Sequence, residues 1–298
     1  MADPLISIVM PAYKAADSVA DAAGSVLAQS WTRLELIVVS DDGVDYLDVL
    51  DQAGLADERT RQASTGGVGT GDWNARNVGL AAATGDLVTI IDADDAYAPG
   101  RLAALAPLAL ADGAALDNTE MQLNGSRMAT LLHPKEAASG EPVPATAPLI
   151  LRDRVPVFPM WRRRDFDLHW HELPHASDVI LSLELLSAAP DMRVAPDMGY
   201  RYLKRQGSMT LSDSMTDRSR EAYFRIMRAI LDGTYDLAPA VADLALYEIA
   251  KNLNQAVPFA RAMAADPGQT HETLAITFNE RPMTEAERYA YFQGEDAP

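Results

Sequence analysis

The sequence predicts an α/β protein: a Rossmann-like, mostly parallel sheet flanked by helices, followed by a helical C-terminal extension. Three observations carry this. Short β-branched apolar runs alternate with helix-period segments between residues 5 and 91. Three of those runs end in chemically marked residues: Pro11-Ala12-Tyr13, Asp41-Asp42 and Asp92-Ala93-Asp94-Asp95. From about residue 216 the sequence turns to helix-forming stretches. Alternation of this kind builds parallel sheets covered by helices on both faces.

LISIVMP (5–11) is short, β-branched and stopped by a proline, the pattern of a buried strand. Next, Val19, Ala22, Ala23, Val26 and Leu27 fall at i, i+3, i+4, i+7 and i+8, one face of a helix. LELIVVS (34–40) reads as a second strand. GDWNARNVGLAAATG (71–85) reads as a helix closed by Gly85. LVTII (87–91) is the next strand. Within 113–165, MATLLHPKEAASGEPVPATAPL (128–149), with many Pro, Ala and Gly, reads as loop-rich. DVILSLELLSAAP (178–190) reads as a mostly buried helix, and Tyr200–Leu203 as strand. SREAYFRIMRAIL and PAVADLALYEIAKNLNQAVPFARAMA read as C-terminal helices.

Composition narrows the function. The 298 residues fit one large domain or two ordinary ones. With 43 acidic and 25 basic residues the net charge is −18, a field that repels nucleic-acid phosphates and disfavours anionic membrane surfaces. The chain has no cysteine, which excludes disulfides, thiolate metal sites and a cysteine nucleophile, and fits a reducing cytoplasm. No basic segment precedes a long apolar core at the start, so no signal peptide is expected. No stretch reaches the roughly 18–20 apolar residues of a membrane span. LAALAPLALADGAAL is broken by Pro107 and Asp112. A soluble, cytoplasmic protein is expected. The one basic cluster, WRRR (161–164), is a solvated face, an acceptor anion site or a peripheral membrane contact.

In open parallel sheets, ligands bind beyond the carboxyl ends of the strands. If the three strands are neighbours, their tips share one crevice. Asp92, Asp94 and Asp95 crowd like charge behind an apolar strand. A divalent cation carrying a diphosphate explains that placement, because magnesium takes one or two carboxylates plus substrate phosphates. Strand alternation points Asp92 and Asp94 the same way. Asp41 and Asp42 can accept from a nucleobase N–H or a ribose hydroxyl, or form a solvated acidic turn. Arg76 suits a phosphate or a carboxylate partner, or is an exposed helix arginine. Asp178 heads a helix, either as a charge favoured by the helix dipole or as a general base opening onto a cleft. His169, His171 and His175 invite a metal reading, but Pro174 breaks the helix that a zinc-binding His-Glu-x-x-His needs. The glycine-rich GVGTG (67–71) does not follow the dinucleotide pattern and is not read as a phosphate cradle.

Together the blocks ISIVMPAYKAADSVADAAGSVLAQSW, LELIVVSDDGVD, ARNVGLAAATGDLVTIIDADD, SDVILSLELL and YRYLKRQGSMT resemble the family 2 glycosyltransferases, over roughly residues 5–212. The resemblance implies the A-type glycosyltransferase fold. It places a catalytic domain at 1–215, with a nucleotide-sugar half to about 115 and an acceptor half from about 116, and leaves 216–298 as the helical extension. Pro11, Ala12 and Tyr13 would border the nucleotide, Asp41 or Asp42 would contact the base, and Arg76 would hold the nucleotide or its phosphates. Asp92 would lie near the ribose, and Asp94, with Asp92, would bind Mg²⁺ or Mn²⁺. Asp178 would be the catalytic base of an inverting enzyme. Ser177 stands where the family has Glu. Arg201 and Ser208 would lie near the diphosphate.

The donor implied is a nucleotide sugar, most simply a UDP-sugar. The acceptor is a sugar, a lipid-linked or a small molecule, in polysaccharide, capsule or glycoconjugate synthesis. A homodimer is compatible with the extension. A retaining enzyme would use a late His as a metal ligand, and after His175 only His271 remains. Two rivals stand beside this reading: a catalytically inactive nucleotide-binding scaffold, and a nucleotidyltransferase. The latter would show a Gly-rich basic loop after the first strand, where PAYKAADS has one lysine and no glycine.

Overall fold

Inside the parallel part of the main sheet lies β1 (Ile6–Ala12), between β2 (Leu34–Ser40) and β4 (Leu87–Ile90), with β3 (Thr60–Ser64) outside β2. All four run parallel. The computed structural model describes residues 3–152, 155–174, 176–204 and 215–251. Beyond β4 the eight-stranded sheet continues with β10 (Met160–Arg162), β6 (Ala114–Asp117), β11 (Arg193–Ala195) and β9 (Val143–Pro144). β10 runs antiparallel to both neighbours, so the sheet is parallel on its N-terminal side and mixed beyond it. A second sheet has four strands in the order β5 (Ala96–Tyr97), β12 (Tyr200–Lys204), β7 (Glu120–Leu123) and β8 (Ser126–Thr130).

β1 is an inner strand because its side chains are apolar on both faces: Ile6, Ile8, Val9 and Met10 are all fully buried. A strand covered on both sides needs this continuous apolar run rather than alternation. The helices that cover the sheet are α1 (Val19–Leu27), α2 (Tyr46–Gln52), α3 (Asp72–Ala82) and α4 (Arg101–Asp112). α3 crosses β1 and β2 at Gly79, where a Cβ would sit 2.2 Å from Val9 Cγ1. The short α5 (Pro134–Ala137) and α6 (Ala147–Arg152) follow, then α7 (Ser177–Ala188), α8 (Met215–Leu231) and a helix over 239–251. Among the described residues no helix is long and apolar enough to cross a membrane.

Three expectations change. Gly85 does not close α3, which ends at Ala82 with an extended Ala83. Gly85 instead lets the chain pass tight against β1, since a Cβ there would lie 2.7 Å from Leu5 O and Ser7 N. The expected loop-rich stretch 128–149 also holds the end of β8, α5, β9 and the start of α6, and β6, β7 and β10 lie outside it. Elements of two to six residues are too short to show a period, and pairing with distant strands decides them. The helices α2 and α4 had no mark in the sequence reading; Pro107 sits inside α4.

The sheet end opposite the strand tips is tied by Glu35. Its carboxylate accepts from Ser7 Oγ (2.6 Å), Thr84 N (2.7 Å), Thr84 Oγ1 (2.8 Å) and Arg61 Nε (2.9 Å). Burial opposes ionisation, but these donors overcome it and hold the carboxyl down at about 2, against 4.5 ordinarily. A depressed carboxyl contributes stability that is fully present above its unfolded pKa and lost as pH falls through the folded one. Urea unfolding of wild type and Glu35→Gln should therefore differ at neutral pH, with the gap closing from about 4.5 towards 2. A gap independent of pH would contradict this.

Candidate active site

The three marked tips are neighbours. Ala12 pairs with Ser40 across β1 and β2, and Val9 with Ile90 across β1 and β4. The chain keeps this alignment past the strands: Asp41 N donates to Ala12 O (2.9 Å) and Ile91 N to Val9 O (3.0 Å). Pro11, Ala12 and Tyr13, Asp41 and Asp42, and the 92–95 turn thus border one crevice edge, with Tyr13 46 % exposed at its mouth.

The carboxylates of Asp41 and Asp42 point into the protein. Asp41 accepts from Thr65 Oγ1 (2.7 Å), Thr70 Oγ1 (2.6 Å), Thr70 N (3.1 Å) and Gly71 N (3.2 Å). It therefore pins both ends of the loop carrying GVGTG, whose Gly66, Gly69 and Gly71 all have positive φ. Asp42 accepts from Lys14 N (2.6 Å), Tyr46 Oη (2.9 Å), Val44 N (3.1 Å) and Ser40 Oγ (3.3 Å). Lys14 is held there at φ +53°. Burial works against both charges, yet these donors keep both carboxyls below the usual range. The two acids shape the crevice walls, namely the Tyr13-Lys14 turn and the glycine loop.

The acidic turn separates its three members. β4 ends at Ile90, and Asp95 N donates back to Asp92 O (3.1 Å), so strand alternation does not govern this run. Asp95 is 2 % exposed and accepts from Tyr200 Oη (2.8 Å) and Leu203 N (2.7 Å). Burial, with Asp92 and Asp94 beside it, pushes its carboxyl well above the usual range. Asp94 is exposed. Asp92 keeps a partly exposed side chain and accepts from Arg76 Nη2 at 2.8 Å.

Arg76, on α3, joins this turn to α7. It is 5 % exposed, not an open helix arginine. Nη1 donates to Asp72 Oδ2 (2.6 Å) and Ser177 Oγ (3.3 Å), while Nε has no partner among the described residues. Burial would strip its charge, but Asp92, Asp72 and Asp178 keep it firmly protonated. α7 begins beside it, after Ala176 in the left-handed region at φ +65°. Asp178 occupies the first turn, where burial raises its carboxyl and Arg76 partly counters.

Arg201 is exposed on β12, opposite Ala96 and Glu120. WRRR sits at the far end of the sheet: Arg162 pairs with Leu87 at the start of β4, and Arg163 Nε donates to Gly85 O (2.8 Å). That placement excludes the cluster as an anion site in this crevice. His171 Nε2 lies 3.1 Å from both Glu184 oxygens, with its ring against Tyr235. This pair, with Asp236 N to Glu184 Oε1 and Ala238 N to Ser187 Oγ, docks the start of the extension on α7. His175, Ser208 and His271 lie outside the described residues.

The sequence reading missed Thr65, Thr70, Tyr200 and the buried Arg101–Asp117 pair. Arg101 also donates to Phe158 O (2.7 Å) and lies 4.2 Å over the Tyr97 ring. Only an arginine inside an apolar helix signalled that pair. Among the described residues no group of three or more His, Asp or Glu is preassembled for a metal. Asp94 at the mouth with Asp92 beside it suits instead a hard cation whose shell is completed by substrate phosphates.

With this geometry in hand, the comparisons fall into place. Residues 7–127 match the sequence profile of Glycosyl transferase family 2. The succinoglycan biosynthesis protein ExoO of Rhizobium meliloti is 29% identical over 222 residues, covering 70% of this chain and 63% of ExoO. A β-1,3-glucosyltransferase of Escherichia coli, WfgD, is 34% identical over 104 residues, 34% of this chain and 40% of that protein. The chain thus spans under two thirds of these relatives. Staphylococcus aureus TarS, solved with UDP-GlcNAc, superimposes with a TM-score of 0.60 at 19% identity, covering 92% of this chain and 79% of that one. Mannosyltransferase PcManGT of Pyrobaculum calidifontis, solved with GDP-Man and Mn²⁺, gives 0.57 at 16%, covering 94% and 80%. The fold is the A-type glycosyltransferase fold, and residues 7–127 carry the glycosyl transferase family 2 profile.

If Asp41 acts through the glycine loop, Asp41→Ala should release it. Limited proteolysis should then cut within 65–71 many times faster than in wild type, with the rest of the chain protected. Unchanged cleavage would show that the loop holds itself.

Proposed function

We propose that this protein is a metal-dependent, inverting glycosyltransferase that moves one sugar from a nucleoside diphosphate sugar to an acceptor hydroxyl. The observation that carries it is the bridge at Arg76, which contacts Asp92 on the acidic turn and Ser177, next to Asp178, around one crevice. Its unpartnered Nε is the kind of buried donor that a phosphate oxygen satisfies. Asp94 and Asp92 would hold Mg²⁺ or Mn²⁺, which when bound offsets charge on the departing diphosphate. Tyr13 and the glycine loop would flank the base.

Asp178 acts as the base. It takes the proton of the acceptor hydroxyl, the acceptor oxygen bonds to the anomeric carbon, and the bond to the diphosphate oxygen breaks on the opposite face. One displacement inverts the centre through an oxocarbenium-like state. A carboxyl raised by burial suits this task. Ser177 accepts from Arg76 without adding a further charge. Residues 1–215 would form the catalytic part and 216–298 an extension, of which residues 235–238 sit on α7. Kinship with ExoO supports a role in exopolysaccharide synthesis, and the solved structures of similar fold support a UDP- or GDP-sugar donor.

Asp178→Asn should cut nucleotide release from the donor by about 10²–10⁴-fold while leaving donor affinity intact. In wild type the acid limb of kcat/KM should sit above the usual carboxylate range, because the base works only when ionised. Full turnover by Asp178→Asn would remove Asp178 from the mechanism.

A further inference from the structure

The acidic turn is held by a strand of the other sheet. Tyr200 Oη on β12 accepts from Asp92 N (2.9 Å) and donates to Asp95 Oδ2 (2.8 Å), so one hydroxyl ties both ends of the turn. Leu203 N, also on β12, takes the second Asp95 oxygen at 2.7 Å. The Tyr200 ring cannot shift. It is fully buried, stacks on Phe158 at 3.7 Å between centroids and meets Tyr97 edge-on at 5.8 Å. Tyr97 in turn donates to Ile90 O (2.6 Å), the last residue of β4. The Arg101 guanidinium lies 5.4 Å over the Tyr200 ring.

We propose that Tyr200 is a positioning residue for the donor site: its hydroxyl sets the 92–95 turn so that Asp92 and Asp94 face the crevice, with Asp95 as the buried anchor and not a ligand. The proposal rests on the reading of this turn as the cation–diphosphate site. Both Asp95 oxygens are already engaged by β12, and the residue is closed to solvent. The second sheet, at the acceptor side, is thereby part of what makes the donor site.

Tyr200→Phe removes the hydroxyl and keeps the stacked ring. Mn²⁺ would be titrated calorimetrically into wild type and variant with saturating UDP, and separately GDP, alongside amide exchange at Asp92. The variant should need about tenfold more Mn²⁺ for half-saturation, the cost typical of losing an outer-shell partner, and its Asp92 amide should exchange faster. Asp95→Asn should shift the Mn²⁺ midpoint by no more than Tyr200→Phe does, because it loosens the same tie without removing a ligand. An unshifted midpoint in Tyr200→Phe, even with lowered thermal stability, overturns the proposal, because it shows a role in folding alone. Loss of Mn²⁺ binding in Asp95→Asn overturns it too, and decides the matter if Tyr200→Phe does not fold. A wild type that binds neither nucleotide with Mn²⁺ sinks the donor-site reading and the proposal with it.

Discussion

One guanidinium sets the terms for the rest of the site. Asp72, Asp92 and Asp178 lie around Arg76, and three carboxylates in a half-buried crevice repel one another unless a cation sits among them. Arg76 supplies it from α3, a helix pressed on β1 through Gly79. The close approach brings the arginine within reach of both β4's tip and α7's first turn. Two parts of the chain that are 101 residues apart, Arg76 and Ser177, are thereby joined.

The remaining acids divide by what they touch. Asp41, Asp42 and Asp95 are consumed by protein donors and act as fasteners: for the glycine loop, for the Tyr13-Lys14 turn and for β12. Asp92 and Asp94 keep solvent contact. A net charge of −18 is thus spread unevenly at this edge, with the anchored acids behind and the accessible ones in front. The answer to like-charge crowding after β4 is that the three acids face different surroundings.

β1, β2 and β4 were legible because buried strands write continuous apolar runs, and β2 fell where LELIVVS placed it, while β3, the polar TRQAS, left no such run. The convergence of tips followed from that order alone. What sequence could not show was direction. Asp41 read as a base contact because its donors, Thr65 and Thr70, come from elsewhere in the chain. Tyr200 was invisible for the same reason: its partners are 105 and 108 residues away. The strands β6, β9 and β10 have two to four residues and pair only over long range, while β7 and β8 form a local hairpin across Asn124-Gly125.

The central claim is that this crevice takes a nucleoside diphosphate together with a divalent cation. Thermal unfolding with UDP, GDP, CDP and TDP, each with Mn²⁺ or with EDTA, tests it most directly. One nucleotide should stabilise the protein with Mn²⁺ and not with EDTA, by roughly 2.7 kcal/mol at a hundred times its dissociation constant, and should lose the effect in Asp94→Ala. No stabilisation by any nucleotide, or equal stabilisation with EDTA, would contradict the account.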